Sequence, residues 1–147
     1  MTLLLPNSVR TALLDHAREG RPREVCGVLA GRRDAEADGS DGGPDRREDR
    51  VERVIRTRNV AEASRVAYEI APEELHRVLT DVEADDRDVV GFYHSHPTGA
   101  AAPSPTDRAA ATWTGHLYVI VAPDAGRPVR AWRWSGEAFD EEPVERP

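Results

Sequence analysis

Cysteine is almost absent from this 147-residue chain, which contains only Cys26. One cysteine excludes an internal disulfide and a cysteine-based metal cluster, and it is typical of a reducing, intracellular setting. Long apolar runs are missing as well, because the longest one, residues 117–122, is far shorter than a membrane span. The first residues lack the charged and apolar regions of a signal peptide. We therefore expect a soluble, cytoplasmic protein with no membrane partner.

Lysine is missing altogether, so arginine provides every basic side chain other than histidine. The 20 basic residues are scattered and outnumbered by 27 acidic ones, which gives a net charge of −7. This excludes a nucleic acid as the main partner, since phosphate binding needs a concentrated basic surface. With 39% hydrophobic residues, the chain is long enough for one domain with its own core and too short for two. We expect a single domain over residues 1–147.

The order of apolar patterns predicts an α/β (α+β mixed) domain. Helical spacing and helix-start signatures predict helices over residues 8–20, 72–82 and 104–113. Short apolar runs predict strands over residues 25–31, 51–57, 66–70, 89–96, 117–122 and 129–134. This order indicates a mixed β-sheet flanked by helices.

Two segments are expected to lie outside this framework. Residues 34–50 are mostly acidic residues, arginine, glycine and alanine, with no large apolar residue, which predicts a flexible acidic insert between two strands. Residues 137–147 are acidic and contain proline, which predicts a frayed tail.

His94 and His96 lie at the end of a predicted strand, in the sequence His94-Ser95-His96. Because side chains alternate along a strand, the two imidazoles point to the same face and can reach one metal ion. Ser95 points away from them, so we do not expect it to act as a nucleophile. Two histidines at a strand end also occur without a metal, and this motif alone leaves both interpretations open.

Asp107 lies in the first turn of the helix that Ser104 is predicted to open. Two histidines and a carboxylate leave the fourth position of a tetrahedral zinc site free for water, which is the pattern of a catalytic site. Ser104 and Asp107 also match a helix-start signature, with serine at the N-cap and an acidic residue at N3. The two interpretations compete, because an Asp107 oxygen bound to zinc cannot also accept the capping hydrogen bond.

Glu24 stands just before the strand predicted over residues 25–31. A carboxylate there is either a surface group or a general base beside a metal, a role that requires a carboxyl that is not itself a ligand. Cys26 shares the face of Glu24 on a regular strand, and we expect a buried, apolar thiol there. The remaining histidines are expected to be structural or exposed: His16, His76 and His116.

Together these positions resemble the JAMM/MPN+ metalloprotease family, and in particular its small prokaryotic branch. The family pattern is a glutamate that opens a strand, then H-S-H, seven residues, serine, two residues and aspartate, and every spacing is matched here. The resemblance extends over residues 23–134. Further stretches carry it: E-x-C-G-x-L-x-G from Glu24, Asn59, Y-x-I-x-P-E from Tyr68, and G-F-Y-H-S-H-P from Gly91.

The resemblance implies a role for five of these residues. One zinc ion per chain would be bound by His94, His96 and Asp107. Glu24 would accept a proton from the water that zinc activates and pass it to the leaving amine, and Ser104 would donate a hydrogen bond to the oxyanion. The implied fold is a mixed sheet flanked by helices, similar to that of cytidine deaminases.

The resemblance also implies a substrate, a ubiquitin-like protein with a Gly-Gly C-terminus. Archaeal members are desampylases, which cleave ubiquitin-like modifiers from their conjugates, and bacterial relatives release cysteine from a sulfur-carrier protein. The lysine-free, acidic composition is typical of a halophile and favours the first activity. We therefore predict a desampylase-like zinc isopeptidase, with the sulfur-carrier peptidase as the alternative.

Two other classes remain for comparison. A non-catalytic MPN scaffold typically loses metal ligands, and this chain keeps all of them. A zinc-dependent deaminase would need a P-C-x-x-C ligand pair, which a single cysteine cannot supply. The sequence leaves the oligomeric state open.

Overall fold

A computed structural model describes residues 1–36 and 47–147, and in these residues eight strands form one sheet with three helices beside it. Parallel and antiparallel pairs occur in the same sheet, which confirms the predicted mixed sheet flanked by helices. The strands lie side by side in the order β7-β6-β5-β4-β2-β3-β1-β8. In chain order the elements are β1 (Thr2–Leu4), α1 (Asn7–Gly20), β2 (Cys26–Glu36), β3 (Arg47–Thr57), α2 (Pro72–Ala84), β4 (Asp88–Ser95), α3 (Pro105–Ala110), β5 (Leu117–Val121), β6 (Val129–Trp134), β7 (Phe139–Glu142) and β8 (Val144–Glu145).

Helix α1 covers one face of the sheet because its apolar residues recur every four positions. Val9, Leu13 and Ala17 are buried on that stripe and belong to one core cluster with Tyr93 of β4. Full burial of a valine or leucine side chain contributes roughly 1.5–3 kcal/mol, so this stripe is enough to hold the helix on the sheet.

Helix α2 covers the opposite face. Pro72 occupies its first turn, and Glu73 and Glu74 follow at the positive end of the helix dipole, as the sequence predicts. Val78 and Val82 are buried in a second core cluster, where they meet the side chains that β2, β4 and β5 direct to this face. His94 of the H-S-H motif lies on the same face, because it follows the alternation of Phe92 along β4.

Strand β4 lies near the centre of the sheet, antiparallel to β2 and parallel to β5. Its backbone approaches β5 so closely at Gly91 that a β-carbon there would lie 1.8 Å from the carbonyl oxygen of Leu117. Only glycine fits such an approach. The end of β4, where His94 lies, is therefore held between two strands.

The segment over residues 66–70 is not a strand, and the prediction is wrong there. Val66 closes a turn by donating to the carbonyl of Ala63, and its side chain is exposed. The polar backbone groups of Ala67 and Glu69 bond to the side chain of Asn59 instead of to a strand. Hydrogen bonds with the Asn59 side chain take the place of the strand-to-strand hydrogen bonds that the apolar pattern predicted for this segment.

The acidic insert is shorter than predicted at both ends. Residues 34–36 belong to β2 and residues 47–50 to β3, because the antiparallel pairing of these strands continues past the last apolar residues. Backbone hydrogen bonds form whatever the side chains are, so a polar hairpin can extend a strand that begins in the core. Residues 37–46 lie outside the described residues.

The predicted frayed tail instead contributes two strands. Strand β7 pairs with β6 at one end of the strand order, and β8 pairs with β1 at the other end. Only Pro143 separates β7 from β8, and its carbonyl accepts a hydrogen bond from the N–H of Leu3. The sheet therefore curves until its two ends meet at residues 139–145. Strand β1 itself was not predicted, since three residues are too few for an apolar pattern.

The helices of the described residues include none that is long and apolar enough to cross a membrane.

Candidate metal centre

The end of strand β4 places the H-S-H motif beside the start of β2. Residue His94 lies opposite Cys26 in the register of the two strands. Ser95 is fully buried, and its hydroxyl accepts a hydrogen bond from the N–H of Val25 at 2.8 Å. Ser95 is thus engaged with the neighbouring strand, in agreement with its predicted structural role.

His94, His96 and Asp107 come together although a loop separates the histidines from helix α3. The Nε2 atom of His94 lies 3.1 Å from Oδ1 of Asp107, and the Nε2 atom of His96 lies 3.0 Å from Oδ2. One ligand atom from each of the three residues lies within 4.8 Å of the others. Three such atoms can hold one metal ion, as the spacing in the sequence predicts.

The ring of His94 shows that this group fits a cation. Both of its nitrogens are buried and have no hydrogen-bond partner among the described residues, although Nε2 is close to the Asp107 carboxylate. A buried polar atom without a partner costs about 1–3 kcal/mol. Two imidazoles and one carboxylate are ligands that suit zinc, and a metal would supply the partner that Nε2 lacks.

The ring of His96 faces an acceptor on each side. Its Nδ1 lies 2.9 Å from the carbonyl oxygen of Ala100, and its Nε2 faces Asp107. Because a carbonyl only accepts, Nδ1 carries a proton, and without a metal Nε2 must carry one too. A metal ion would replace the proton on Nε2, and the Ala100 carbonyl would keep the ring oriented.

The pKa values of the three residues follow from these contacts. Burial lowers the pKa of His94. Burial alone would also lower the pKa of His96, but Asp107 raises it above its ordinary value. Burial alone would raise the pKa of Asp107, but the two histidines hold it well below its usual range. Asp107 is therefore a carboxylate, and its charge draws a cation to the group.

Ser104 and Asp107 form the helix cap that the sequence pattern allows. Asp107 donates its backbone N–H to the Ser104 hydroxyl oxygen at 3.1 Å, and Ser104 donates its own N–H to Oδ2 of Asp107 at 2.9 Å. The cap uses Oδ2, while Oδ1 faces His94. Oδ2 also faces His96, so Oδ1 is the oxygen that the cap leaves to a metal. The Ser104 hydroxyl accepts in the cap and keeps its proton free to donate.

Glu24 is buried beside this group, with 6% of its surface exposed. Its Oε1 atom is buried and has no hydrogen-bond partner among the described residues. Burial raises the pKa of the Glu24 carboxyl to about 7, and the charge of Asp107 adds to the rise while His96 opposes it. A carboxyl with a pKa near neutrality can both accept and donate a proton at physiological pH. The alternative of a surface group is excluded by this burial.

Tyr68 is a residue of the site to which the sequence assigned no role. Its ring stacks on the ring of His94, with centroids 4.4 Å apart and planes 19° apart. It belongs to the segment that was predicted as a strand. The motif that begins at Tyr68 was visible in the sequence, but no local pattern connects it with a histidine on a distant strand.

A groove of about 320 Å³ opens beside the Tyr68 ring, and His94 is not among its lining residues. Phe92, two positions before His94 on β4, also lines it. Most of the other lining side chains are apolar or aromatic, among them Ile70, Leu75, Trp113 and Tyr118. This groove and the candidate metal centre therefore share the Tyr68 side chain, which stacks on His94.

The remaining candidate residues have structural surroundings. Cys26 is fully buried, as predicted, and its thiol lies 3.4 Å from the Thr57 hydroxyl; burial raises its pKa to about 11. The Nδ1 atom of His16 lies 2.7 Å from the Tyr93 hydroxyl, and burial lowers its pKa to about 4. The other two are as predicted, His76 exposed on α2 and His116 half-buried at a turn.

Comparison with known proteins agrees with this geometry. The family described as prokaryotic homologs of the JAB domain matches residues 6–135. The chain is 43% identical to a desampylase of Haloferax volcanii over 143 residues, which cover 95% of this chain and 92% of the relative. It is 37% identical to a CysO-cysteine peptidase of Mycobacterium bovis over 144 residues, which cover 97% of this chain and 89% of the relative. A crystal structure of a JAB1/MPN domain protein from Archaeoglobus fulgidus matches with a TM-score of 0.57 at 19% identity, covers 97% of both chains, and shows the same fold.

Proposed function

This chain belongs to the family of prokaryotic homologs of the JAB domain, and on that basis we propose that it is a zinc-dependent isopeptidase. It hydrolyses the amide bond after the C-terminal Gly-Gly of ubiquitin-like modifier proteins, as a desampylase does. One observation carries the proposal. Ligand atoms of His94, His96 and Asp107 converge within 4.8 Å of one another, beside the unpartnered carboxyl of Glu24.

His94, His96 and Asp107 hold the zinc ion. Zinc in a site with three protein ligands lowers the pKa of water to near neutrality and polarises a carbonyl. Asp107 contributes the negative charge of the ligand set, and the Ala100 carbonyl orients His96. The burial of His94 and Asp107 keeps solvent from competing for the ion.

Glu24 moves the proton. Its carboxyl is not part of the ligand group, and its free Oε1 atom has no other partner among the described residues. As a buried carboxyl outside the ligand group, it accepts a proton from the attacking water and then donates one to the leaving amine. General acid–base catalysis of this kind contributes about 10²–10⁴-fold to the rate.

Ser104 stabilises the oxyanion. Its oxygen is fixed by the cap, since it accepts from the N–H of Asp107. The hydroxyl proton is therefore directed by the helix start and is free to donate to a substrate oxygen as negative charge develops there.

The groove lined by Tyr68 receives the tail of the modifier. Two glycines offer no side chains to grip, so the enzyme holds the tail through backbone hydrogen bonds, as when a peptide adds to a strand edge. A side chain in place of the last glycine would collide with the walls next to the metal. Specificity for the Gly-Gly tail is therefore strict, and specificity for the globular body of the modifier is loose.

Release of cysteine from a sulfur-carrier protein is the second candidate, supported by the 37% identity to a CysO-cysteine peptidase. The bond and the chemistry are the same, and only the leaving amine differs. A non-catalytic scaffold is disfavoured because the complete ligand group and the unpartnered Glu24 carboxyl would serve no purpose there.

The test is cleavage of defined substrates by the purified protein. One substrate is a ubiquitin-like protein linked through Gly-Gly to a lysine side chain, and the other is the same protein with a C-terminal cysteine. We expect cleavage of the isopeptide, loss of cleavage with chelator, and recovery with added zinc. Preference for the cysteine substrate would favour the second candidate. Absence of zinc from the wild type, or zinc retained at full stoichiometry in a His94→Ala/His96→Ala variant, would contradict the proposal.

A second pair of substrates tests how the tail is held. Tails ending in Gly-Gly and Gly-Ala are attached to the same body, and a second body carries the Gly-Gly tail. We expect the alanine to reduce cleavage sharply and the change of body to matter less. Equal cleavage of the two tails would show that the groove does not select glycine.

A further inference from the structure

We infer that Asn59 is a positioning residue for the proposed reaction, because its side-chain amide fixes both the general base and the ring stacked on His94. The inference rests on the proposed function for the role of Glu24. It goes beyond that function in assigning the geometry of the site to a residue that touches neither metal nor substrate.

The Asn59 amide makes four hydrogen bonds, which is all that an amide side chain can make. Its Nδ2 donates to the carbonyl of Glu24 at 2.9 Å and to the carbonyl of Ala67 at 3.0 Å. Its Oδ1 accepts from the N–H of Ala61 at 3.0 Å and from the N–H of Glu69 at 3.1 Å. Both nitrogen partners are acceptors and both oxygen partners are donors, so only one orientation of the amide is satisfied.

Only one of these bonds is local. The bond from Ala61 is the turn that asparagine forms with the residue two positions on, and it would explain an asparagine in any loop. The other three reach Glu24 and the two residues on either side of Tyr68. An ordinary turn residue does not need them, and neither aspartate nor serine could make them all.

The backbone of Glu24 depends on this segment. Its N–H donates to the carbonyl of Ser64 at 2.7 Å, and its carbonyl accepts from Asn59. Glu24 precedes the first paired residue of β2, and both of its own backbone groups bond to the segment over residues 59–69, which therefore helps to determine where its carboxyl points.

The ring of Tyr68 depends on it as well. Asn59 holds the carbonyl before Tyr68 and the N–H after it, so the residue is fixed on both sides. The ring it positions lies against His94 at a centroid distance of 4.4 Å. The Asn59 amide therefore fixes the position of the base, Glu24, relative to the proposed ligand His94. A displacement of a catalytic group by about 1 Å can reduce the reaction rate about a hundredfold.

The experiment compares Asn59→Ala and Asn59→Asp with the wild type. Asparagine and aspartate have the same shape, but aspartate turns a negative oxygen toward the Glu24 and Ala67 carbonyls. In both variants we expect kcat to fall roughly 10- to 100-fold, KM to stay within about twofold, and zinc to remain at about one per chain. In the metal-free proteins, hydrogen exchange at the amides of Glu24 and Glu69 should accelerate.

Ser135→Ala is the matched control. The Ser135 hydroxyl also holds a turn, accepting from the N–H groups of Glu137 and Ala138, but far along the sheet from Glu24. Its loss should accelerate exchange at those two amides and leave kcat unchanged. This separates a positioning effect from a general loosening of the fold.

If the wild type is active and the Asn59 variants are equally active, the inference is wrong. It is also wrong if kcat of the variants falls in proportion to a loss of bound zinc. If Asn59→Ala fails to fold, Asn59→Asp decides by the same measurements. Unchanged exchange at Glu24 in the metal-free variants would also overturn it, whatever the activity. Failure of the proposed function is a different outcome, since it appears as a wild type that cleaves no Gly-Gly substrate.

Discussion

Two groups of buried charged side chains lie on this sheet, and they differ in whether their polar atoms have partners. At the metal centre, His94 and Glu24 keep buried atoms without any hydrogen bond among the described residues. In the other group, which we call the closing cluster, Arg133 of β6 meets Asp49 of β3 and Glu142 of β7.

The closing cluster is fully bonded around its arginine. Arg133 makes a two-pronged ion pair with Glu142, and its Nη2 lies 3.1 Å from the Asp49 carboxylate. Its Nη1 donates to the carbonyl of Gly115 at 2.8 Å. Every nitrogen of the guanidinium is engaged, in the fixed geometry that suits a planar fork. The closing cluster therefore links β3, near one end of the strand order, to β6 and β7 at the other end.

The comparison separates structural from functional burial. A buried charge with all of its partners serves the fold, whereas a buried polar atom without a partner lowers stability by about 1–3 kcal/mol, and at His94 and Glu24 such atoms lie in the candidate metal centre. Changes at the metal centre should therefore affect turnover more than stability, and changes in the closing cluster should do the reverse.

The largest effect is expected for Glu24→Gln. The amide keeps the shape of the carboxyl but cannot take up a proton, so turnover should fall about 10²- to 10⁴-fold. Zinc content and the thermal midpoint of the zinc-loaded protein should be preserved, while the ligand variant Asp107→Ala should lose metal affinity. A Glu24→Gln protein with wild-type turnover would remove Glu24 from the mechanism.

Arg133→Met is the corresponding change in the closing cluster. It removes the cation that both buried carboxylates contact, and unfolding in urea should show a loss of about 3–5 kcal/mol. The folded protein should keep its kcat. Arg130→Met is the control on the same strand, because Arg130 pairs with Glu141 at the surface and should cost no more than about 1 kcal/mol. Equal losses for the two variants would show that burial does not distinguish them.

Ser104→Ala tests a residue with both a structural and a proposed catalytic role, as the N-cap of α3 and as the oxyanion donor. Loss of an oxyanion donor should reduce kcat roughly a hundredfold, and loss of the cap should cost about 1 kcal/mol in stability. Ser104→Gly lacks the hydroxyl but costs a cap only a few tenths of a kcal/mol. If both variants lower kcat while only alanine lowers the melting temperature, the two roles are separate. A defect in stability alone would leave only the cap.

The smallest effect concerns Glu24 and pH in the metal-free protein. The pKa of its carboxyl rises from 4.5 to about 7 on folding, so ionisation destabilises the fold. This cost is absent below pH 4.5, grows between pH 4.5 and 7, and is complete above pH 7. Glu24→Gln should therefore gain on the order of 1–3 kcal/mol over the wild type between pH 5 and pH 8, with chelator present. A difference that does not change with pH would mean that Glu24 is not held in a desolvated position.

The sequence predicted what local geometry determines. His94 and His96 share a face because a strand alternates, and Asp107 lies in a first turn because Ser104 and proline begin a helix. Each of these placements involves residues close together in the chain. The metal group could therefore be anticipated, and the family resemblance added Glu24.

What the sequence did not predict depends on distant contacts. Tyr68 reaches His94 from a segment that the Asn59 amide links to Glu24. The closing cluster joins Arg133 to Asp49 from the other end of the strand order. Strand β7 has the sequence FDEE, which contains no apolar alternation, and only its pairing with β6 makes it a strand.

The short segment over residues 139–145 has one more consequence, for self-association. The outer strands of an open sheet expose unpaired N–H and C=O groups, on which another chain can build a strand. Here the last positions of the strand order, β7 and β8, are separated only by Pro143, and both are formed by this segment. Its removal would uncover β6 and β1 together and would also take Glu142 from Arg133. Residues 139–145, which close the sheet, thus also cover the strand edges through which two copies of the protein could pair.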